Sequence, residues 1–598
     1  MNNNQDRDKK NYPQRSSRPD SNKPRPHNSG GFNKGPNPPF TKRPAAYTFA
    51  PVTNQVVFPE WSAKVSHDLP FKEGISCSLQ LTITAETPML IGGNRSESKT
   101  MSSTVNFYQQ PDGNYAIPGS SLRGAIRSVL EIVTFSRMQL IDDKWLSWRD
   151  LQNNQYNNQM TNKSQAGWLK FDGKQWLFCK TEYEKDEFST LGNGMNWQER
   201  SSAKKRIEAF MSKGNQLKDG DYYRVFTGNT GVKGDKGKKH EFAFIQPEKP
   251  WSAINDDVIK AFIQIHAESD DLVNLKELVK KGHYPAIPVF ALLDKNSSPT
   301  AIGLASMFRL SYKNSIGKLR PKAHSQELDK LDFAETIFGK IDAEKGNTSL
   351  KSRIQFLPCV TTSNLQPMAG IDVVLNSPKP SFYPYYLKQT QGEKLGTVPF
   401  KQDGSRPKPS YKTYDNGELS GYKRYPVRNK ATPLQATAEQ KKIGSTLKPL
   451  PAGAVFKGKV NIHNLTPIEL GAVIWALTWG DKSNLRHSLG MGKSYGYGQA
   501  KISIENIDEL LLQNDGKTTT LKDCLNKFEA YMSQCVTDWK TSPTISNLLA
   551  QANPELASKL SEVFTLSHPK LSGDNGNEFV AIKKAGGYLP AYTEITKK

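Results

Sequence analysis

Ile117-Pro-Gly-Ser-Ser-Leu-Arg-Gly-Ala-Ile-Arg-Ser-Val-Leu-Glu131 is the stretch from which the rest of the chain is read. Pro118 and Gly119 end an extended segment, and Ser120 or Ser121 is suited to accept a hydrogen bond from the free amides of a first helical turn. The apolar stripe Leu122, Ile126, Val129, Leu130 and Val133 follows at three- and four-residue steps, so one side of a helix is buried. Arg123 and Arg127 stand one turn apart on it. Exposed amides, two hydroxyls and two guanidiniums make a phosphate seat. The plainer alternative is a surface helix whose arginines pair with neighbours such as Glu131.

Outward from this helix the chain alternates strands and loops. Upstream, Ile75, Cys77, Leu79, Leu81 and Ile83 alternate with polar residues, which predicts a half-buried strand. It leads into Ile91-Gly-Gly93 and a polar stretch, Asn94 to Asn106, expected to be a loop. Far downstream, Val455 to Ile462 is a second strand. Thr466-Pro-Ile-Glu469 then forms a capping box that opens a helix with Leu470, Val473, Ile474 and Leu477 on its apolar side. Leu489-Gly-Met-Gly-Lys-Ser-Tyr-Gly-Tyr-Gly498 returns the chain to a strand, Gln499 to Ile504. That loop contains Gly492-Lys-Ser494 but has His487 where a nucleotide-hydrolase loop needs glycine, and its spacing misses the dinucleotide fingerprint. What remains is a loop that lets an anion approach backbone, or a tight glycine-rich return.

Composition narrows the partners. The chain of 598 residues carries a formal charge of +23, and ten basic against three acidic residues fall in the first 45, which contain no Ile, Leu or Val. Those 45 residues are expected to be a disordered basic tail. Nucleic acid is the polyanion that best matches such a charge. No apolar run reaches the ~20 residues needed to span a bilayer. The five scattered cysteines and nine histidines form no metal-ligand spacing, so no metal site is expected and a cytoplasmic location is.

Four motifs recur in order: Ile91-Gly-Gly93, Ile117 to Gly124, Phe338-Gly339 with Ser352-Arg-Ile-Gln-Phe356, and the loop Gly490 to Gly498. Together they resemble the CRISPR-associated RAMP superfamily, and most of all a long backbone-type subunit of a type III effector complex. The resemblance implies an α+β fold with a ferredoxin-like core of the RNA-recognition-motif type, split by large insertions. The expected division is a tail over 1–45, core over 46–140, an insertion over 141–285 and core again over 286–364. A Tyr-, Pro- and Gly-rich thumb or loop over 365–450 follows, then the end of the core over 451–505 and a helical extension over 506–598.

The resemblance also implies a function: binding guide (cr)RNA, and possibly target RNA, beside other CRISPR effector subunits in antiviral defence. Mapped onto this sequence, the RNA contacts are Ser120, Ser121, Arg123, Arg127, Ser352, Arg353, Lys493, Ser494, Tyr495 and Tyr497. Target-cutting members of the family resemble one another in carrying an Asp between the Gly-Gly and Pro-Gly-Ser-Ser motifs. Here Ser102, Ser103 and Thr104 stand instead, and Glu97 is the only acid in that loop. A hydroxyl does not supply the charge that holds a divalent ion. The expectation is a subunit that binds RNA without cutting it, with Glu97 the weak catalytic candidate and no cofactor except a divalent metal if cleavage occurs. Two alternatives stand beside it: a repeat-processing endoribonuclease using His283, His324 or His487, and a general single-strand RNA-binding protein.

Overall fold

The computed structural model describes residues 41–96, 102–149, 154–160, 163–187, 202–228, 238, 240–248, 250–267, 269–341, 349–362, 364–389, 411–561, 567–570 and 577–596. Most of the expected basic tail, and Glu97, lie outside the described residues.

The elements that build the main core are, in chain order, β1 (Thr48–Ala50), β2 (Ile75–Ala85), α1 (Gly119–Val133), α2 (Phe333–Phe338), β3 (Ile354–Phe356), β4 (Tyr422–Arg424), β5 (Val455–Leu465), α3 (Pro467–Thr478), β6 (Gln499–Ile504) and α4 (Leu521–Cys535). Four of the strands form one antiparallel sheet in the order β6-β2-β5-β3. Residues 487–488 extend it beside β6; Cys359–Thr361 and Ala116–Ile117 extend it from β5.

The sheet forms because its strands are two-faced. Ile75, Leu79, Leu81 and Ile83 of β2, Phe456, Val460 and Ile462 of β5, and Ile502 and Ile504 of β6 are all buried on one side. Against that side pack α1, through the predicted Leu122, Ile126, Val129, Leu130 and Val133, and α3, which is apolar nearly all round. The surplus apolar surface of α3 is covered by α4, whose Leu521, Cys524, Leu525, Phe528 and Met532 form its buried stripe. The capping box at Thr466 and Glu469 is present, with both reciprocal hydrogen bonds made.

The opposite sheet face is polar. It carries Ser78, Gln80, Thr82 and Thr84 of β2, Lys457, Lys459, Asn461 and His463 of β5, Lys501 and Ser503 of β6, and Gln355 of β3. No Phe, Tyr or Trp of these four strands lies on it.

The stretch expected to be a loop over 94–106 instead contributes two strands, Gly92–Ser96 and Ser103–Phe107, paired with each other. The second also pairs in parallel with Ser445–Leu447, so partners distant in sequence supply order that the local pattern lacks.

A second core spans Tyr156 to Leu310. Its five-stranded sheet joins Ser252–Ala253, Trp176–Lys180, Gln165–Phe171, Ile287–Leu293 and Pro299–Gly303. Strands 287–293 and 299–303, expected to rejoin the first core, therefore belong to this one. Phe290 explains the choice, since its ring packs against Phe242 and Phe244 of the second core. Among the described residues no helix is long and apolar enough to cross a membrane.

Candidate nucleic-acid interface

The start of α1 opens onto a cavity of about 610 Å³. Pro118 is the N-cap and no side chain caps the helix, so the serines do not serve as the predicted caps. Ser120 and Ser121 sit in the first turn and line the cavity, followed by Gly124 and Ser128 one and two turns on. Gly119 is required by packing, because a Cβ there would stand 2.1 Å from the Phe356 carbonyl oxygen. Phe356 ends β3, so this contact ties the helix start to the sheet.

The glycine-rich loop forms the second wall, contributing Lys493 and Ser494. Its glycines serve its own docking. Gly490 has φ +78°, and a Cβ there would meet the Leu90 carbonyl oxygen at 2.2 Å; the Met491 amide donates to that same oxygen at 2.8 Å. Only backbone without a side chain fits so close.

The third wall is β4, which falls in the Tyr-, Pro- and Gly-rich region expected as a thumb or loop. It pairs antiparallel with β1, and the Tyr422 hydroxyl donates to the Ser136 carbonyl at 3.2 Å. This fixes Lys423 and Arg424 on the cavity wall. The interleaving of Tyr422, Lys423, Arg424 and Tyr425 was the available signal, but nothing in it tells which face meets α1.

Three cations thus surround one cavity, and its lining contains no Asp or Glu. Among the described residues none of the three has an acidic partner. Arg424 donates to the Ser128 hydroxyl at 3.4 Å and lies 5.9 Å from the Trp479 ring; the Lys423 ammonium is 4.4 Å from the Tyr425 ring. Burial pushes Lys423 down to about 8, with Lys493 adding repulsion. Burial likewise lowers Arg424 to about 10, and lowers Lys493, where Arg424 contributes. Lys423 is an exposed residue, so solvent screening tempers the effect of its surroundings. An anion entering the cavity relieves all three.

The remaining predicted contacts divide. Arg123 and Arg127 are on another side of α1 and line a separate cavity of about 390 Å³ with Ser352. Both guanidiniums lie over the Phe338 ring, at 5.2 and 5.7 Å. Arg123 donates to the Phe338 carbonyl at 2.9 Å, and Arg127 pairs with Glu131 at 2.7 Å, as in the plainer reading of the helix. Ser352 donates to the Ile354 carbonyl at 2.8 Å.

Arg353 is a correction: it is 1% exposed, and its guanidinium bonds the carbonyls of Thr336 and Asn464 and the Glu469 carboxylate. Tyr495 and Tyr497 are buried in the main core, with the Tyr495 hydroxyl donating to Val374, so neither offers a ring to RNA. The tyrosines of the expected thumb are buried or half-buried, and of them Tyr425 lines the cavity. Tyr385 is buried with Phe382, and Tyr386 packs on Tyr47 and Phe49.

The histidine candidates are mostly committed to structure. His324 is buried, with Nδ1 accepting from the Met138 amide and Nε2 bonded to the Thr53 carbonyl. His487 lines the cavity but is 2% exposed; it stacks on Trp479 and bonds the Leu477 carbonyl, and burial pushes it down to about 4. His283 is half-buried and outside the cavity.

Sequence reading also missed Asp372, which comes from a distant strand to the Ser102 hydroxyl. It accepts from Thr446 at 2.5 Å and pairs with Lys441 at 3.2 Å, and these contacts hold its carboxyl below the usual range. Among the described residues no three His, Cys, Asp or Glu side chains cluster as a metal site.

The RAMP superfamily family model matches residues 82–279, a third of the chain, which holds the first two of the four motifs and not the last two. No curated protein matches the sequence. Among solved structures, Csc2 of Thermofilum pendens aligns at 11% identity over 86% of this chain and 96% of its own, with a TM-score of 0.21. A chain of the type III-B Cmr-beta complex bound to cognate target RNA aligns at 10% identity over 72% of this chain and 97% of its own, with a TM-score of 0.18. A chain of a CRISPR RNA-guided surveillance complex in its pre-nicking form gives 11%, 82% and 100%, with a TM-score of 0.20.

Proposed function

We propose that this chain is a guide-RNA-binding, backbone-type subunit of a type III CRISPR effector complex, built on a ferredoxin-like core. The strand order β6-β2-β5-β3, all antiparallel, with α1 and α3 on one face, supports that core. The observation that carries the RNA reading is the cavity at the start of α1, where three cations meet hydroxyls and no carboxylate. Ser120, Ser121, Lys493 and Ser494 contact the RNA backbone there. Phosphate is the natural occupant: it accepts hydrogen bonds from amides and hydroxyls and neutralises the lysines.

The polar sheet face argues against base stacking in the manner of RNA-recognition motifs, which need aromatic platforms on that face. RNA therefore runs along the helix side. The chain holds RNA without cutting it. Ser102, Ser103 and Thr104 supply no charge for a divalent ion, and the neighbouring Asp372 is engaged by Lys441 and Thr446.

The test is to purify the full chain from cells carrying its CRISPR array and sequence the RNA that comes with it. A uniform, repeat-ended species is expected. Heterogeneous RNA favours the general single-strand binder, and specific cuts in repeat RNA without metal favour the processing enzyme.

A further inference from the structure

Lys423 and Arg424 lie outside the four motifs that carry the family resemblance, yet both line the cavity at the start of α1. The first-turn amides of α1 lack a side-chain cap, and Ser120 and Ser121 project from the same turn. Lys493 completes the set from the glycine-rich loop. One further wall group lacks a partner: the Ser488 hydroxyl is buried without a hydrogen bond.

Resting on the RNA reading above, we infer that Lys423 and Arg424, with Lys493, are the principal phosphate ligands of this cavity. Its apolar side, lined by Ile91, Ile117, Leu375 and Met491, takes the attached sugar and base. The volume of about 610 Å³ suits one nucleotide unit rather than a duplex. Bases outside a duplex are the ones proteins read in RNA, so the occupant is single-stranded.

The strand that carries these residues is built to hold them. Gly421, just before β4, has φ +133°, and a Cβ there would lie 2.0 Å from the Ala50 carbonyl oxygen. Only glycine lets β4 pair with β1 in this register, which sets Arg424 beside Ser128 of α1 and Lys423 beside the rings of Tyr47 and Tyr425. The groups facing Lys423 are Lys493, the rings of Tyr425 and Tyr47, and His568, whose own charge Lys423 disfavours. Tyr47 and Tyr425 are neutral at neutral pH and His568 is lowered to about 4, so among the described residues nothing negative balances the lysine.

Phosphate in the cavity favours the protonated lysine. Lys423 is charged below its lowered value near 8, so binding above that pH requires proton uptake and weakens as pH rises further.

The experiment measures binding of fluorescein-labelled U20 RNA to the full chain at several salt concentrations and at pH 7 and 9.5, and in parallel stabilisation of the RNA-free chain by inorganic pyrophosphate and by UMP. Lys423→Gln with Arg424→Gln is expected to weaken U20 binding about 25-fold at 0.1 M salt and to make the logarithmic salt slope shallower by about 1.4, the value for two lost phosphate contacts on single-stranded RNA. Lys423→Arg keeps its charge at pH 9.5 and is expected to retain more of its pH 7 affinity than wild type.

If U20 binds and the double variant matches wild type in affinity and slope, the inference is overturned while the RNA reading stands. If U20 does not bind but pyrophosphate or UMP stabilises wild type and not the double variant, the phosphate ligands stand and the RNA reading falls, UMP being favoured where the sugar and base contribute. Absence of all three responses overturns both.

Discussion

Replacing Arg353 by Met removes the buried cation of a closed network. Its Nε donates to the Thr336 carbonyl at 2.9 Å and Nη1 to the Asn464 carbonyl at 2.7 Å, while Nη2 pairs with Glu469. Glu469 is fully buried and also receives the Trp61 indole N–H at 3.1 Å and the Thr466 amide at 2.9 Å. Without Arg353 the carboxylate keeps two neutral donors and no counter-charge. Breaking a buried pair from one side costs about 3–5 kcal/mol, because the orphaned charge stays desolvated.

The expected result is a urea midpoint well below wild type for the core of β2, β5 and α3, with faster hydrogen exchange over 455–478 and unchanged RNA affinity per folded molecule. Adding Glu469→Met is expected to recover much of the loss, since the uncompensated charge is then gone. A variant with wild-type unfolding and lost RNA binding would refute the argument and return Arg353 to the RNA-contacting set.

Two further outcomes follow from buried groups. His487 is held neutral, at about 4 against an ordinary value of 6.5, so its contribution is complete above pH 6.5 and is lost as pH falls toward 4. The loss is about 3 kcal/mol for this group; His487→Gln, which does not titrate, should lose correspondingly less stability between pH 7 and 4 in urea unfolding, and an identical loss would contradict the assignment. Gly490→Ala, with a positive φ and a carbonyl in the way, is expected to destabilise by about 1–3 kcal/mol. Gly124→Ala in α1 meets no atom within 4 Å and is expected to be neutral or stabilising by up to about 1 kcal/mol, so the contrast in melting temperature tests whether the loop glycine is structural.

The parts of the fold legible in the sequence are those set by local pattern. The strand at Ile75, the stripe from Leu122 to Val133 and the capping box at Thr466 each declare themselves within a dozen residues. The site was half legible. Ser120, Ser121, Lys493 and Ser494 belong to motifs and do meet at one cavity, whereas Lys423 and Arg424 arrive by the pairing of β4 with β1, across more than 370 residues. Arg123 and Arg127 show the limit of helical spacing: one turn apart they share a side, but Phe338 and Glu131 decide which side that is. Arg353 and the tyrosines of the glycine loop have residue types suited to RNA, and only tertiary burial shows that they serve the core. The paired strands Gly92–Ser96 and Ser103–Phe107 were hidden because one of their partners, Ser445–Leu447, is too far away to leave a local signal.

The central claim is that RNA lies in the cavity between α1, β4 and the glycine-rich loop, and not on the open sheet face. Ultraviolet cross-linking of the RNA-bound full chain, read by mass spectrometry, tests it most directly. Cross-links confined to peptides containing residues 117–128, 422–425 and 488–494 are the predicted result. Cross-links concentrated on residues 78–84, 457–463 and 501–503, with none at the cavity, would contradict it.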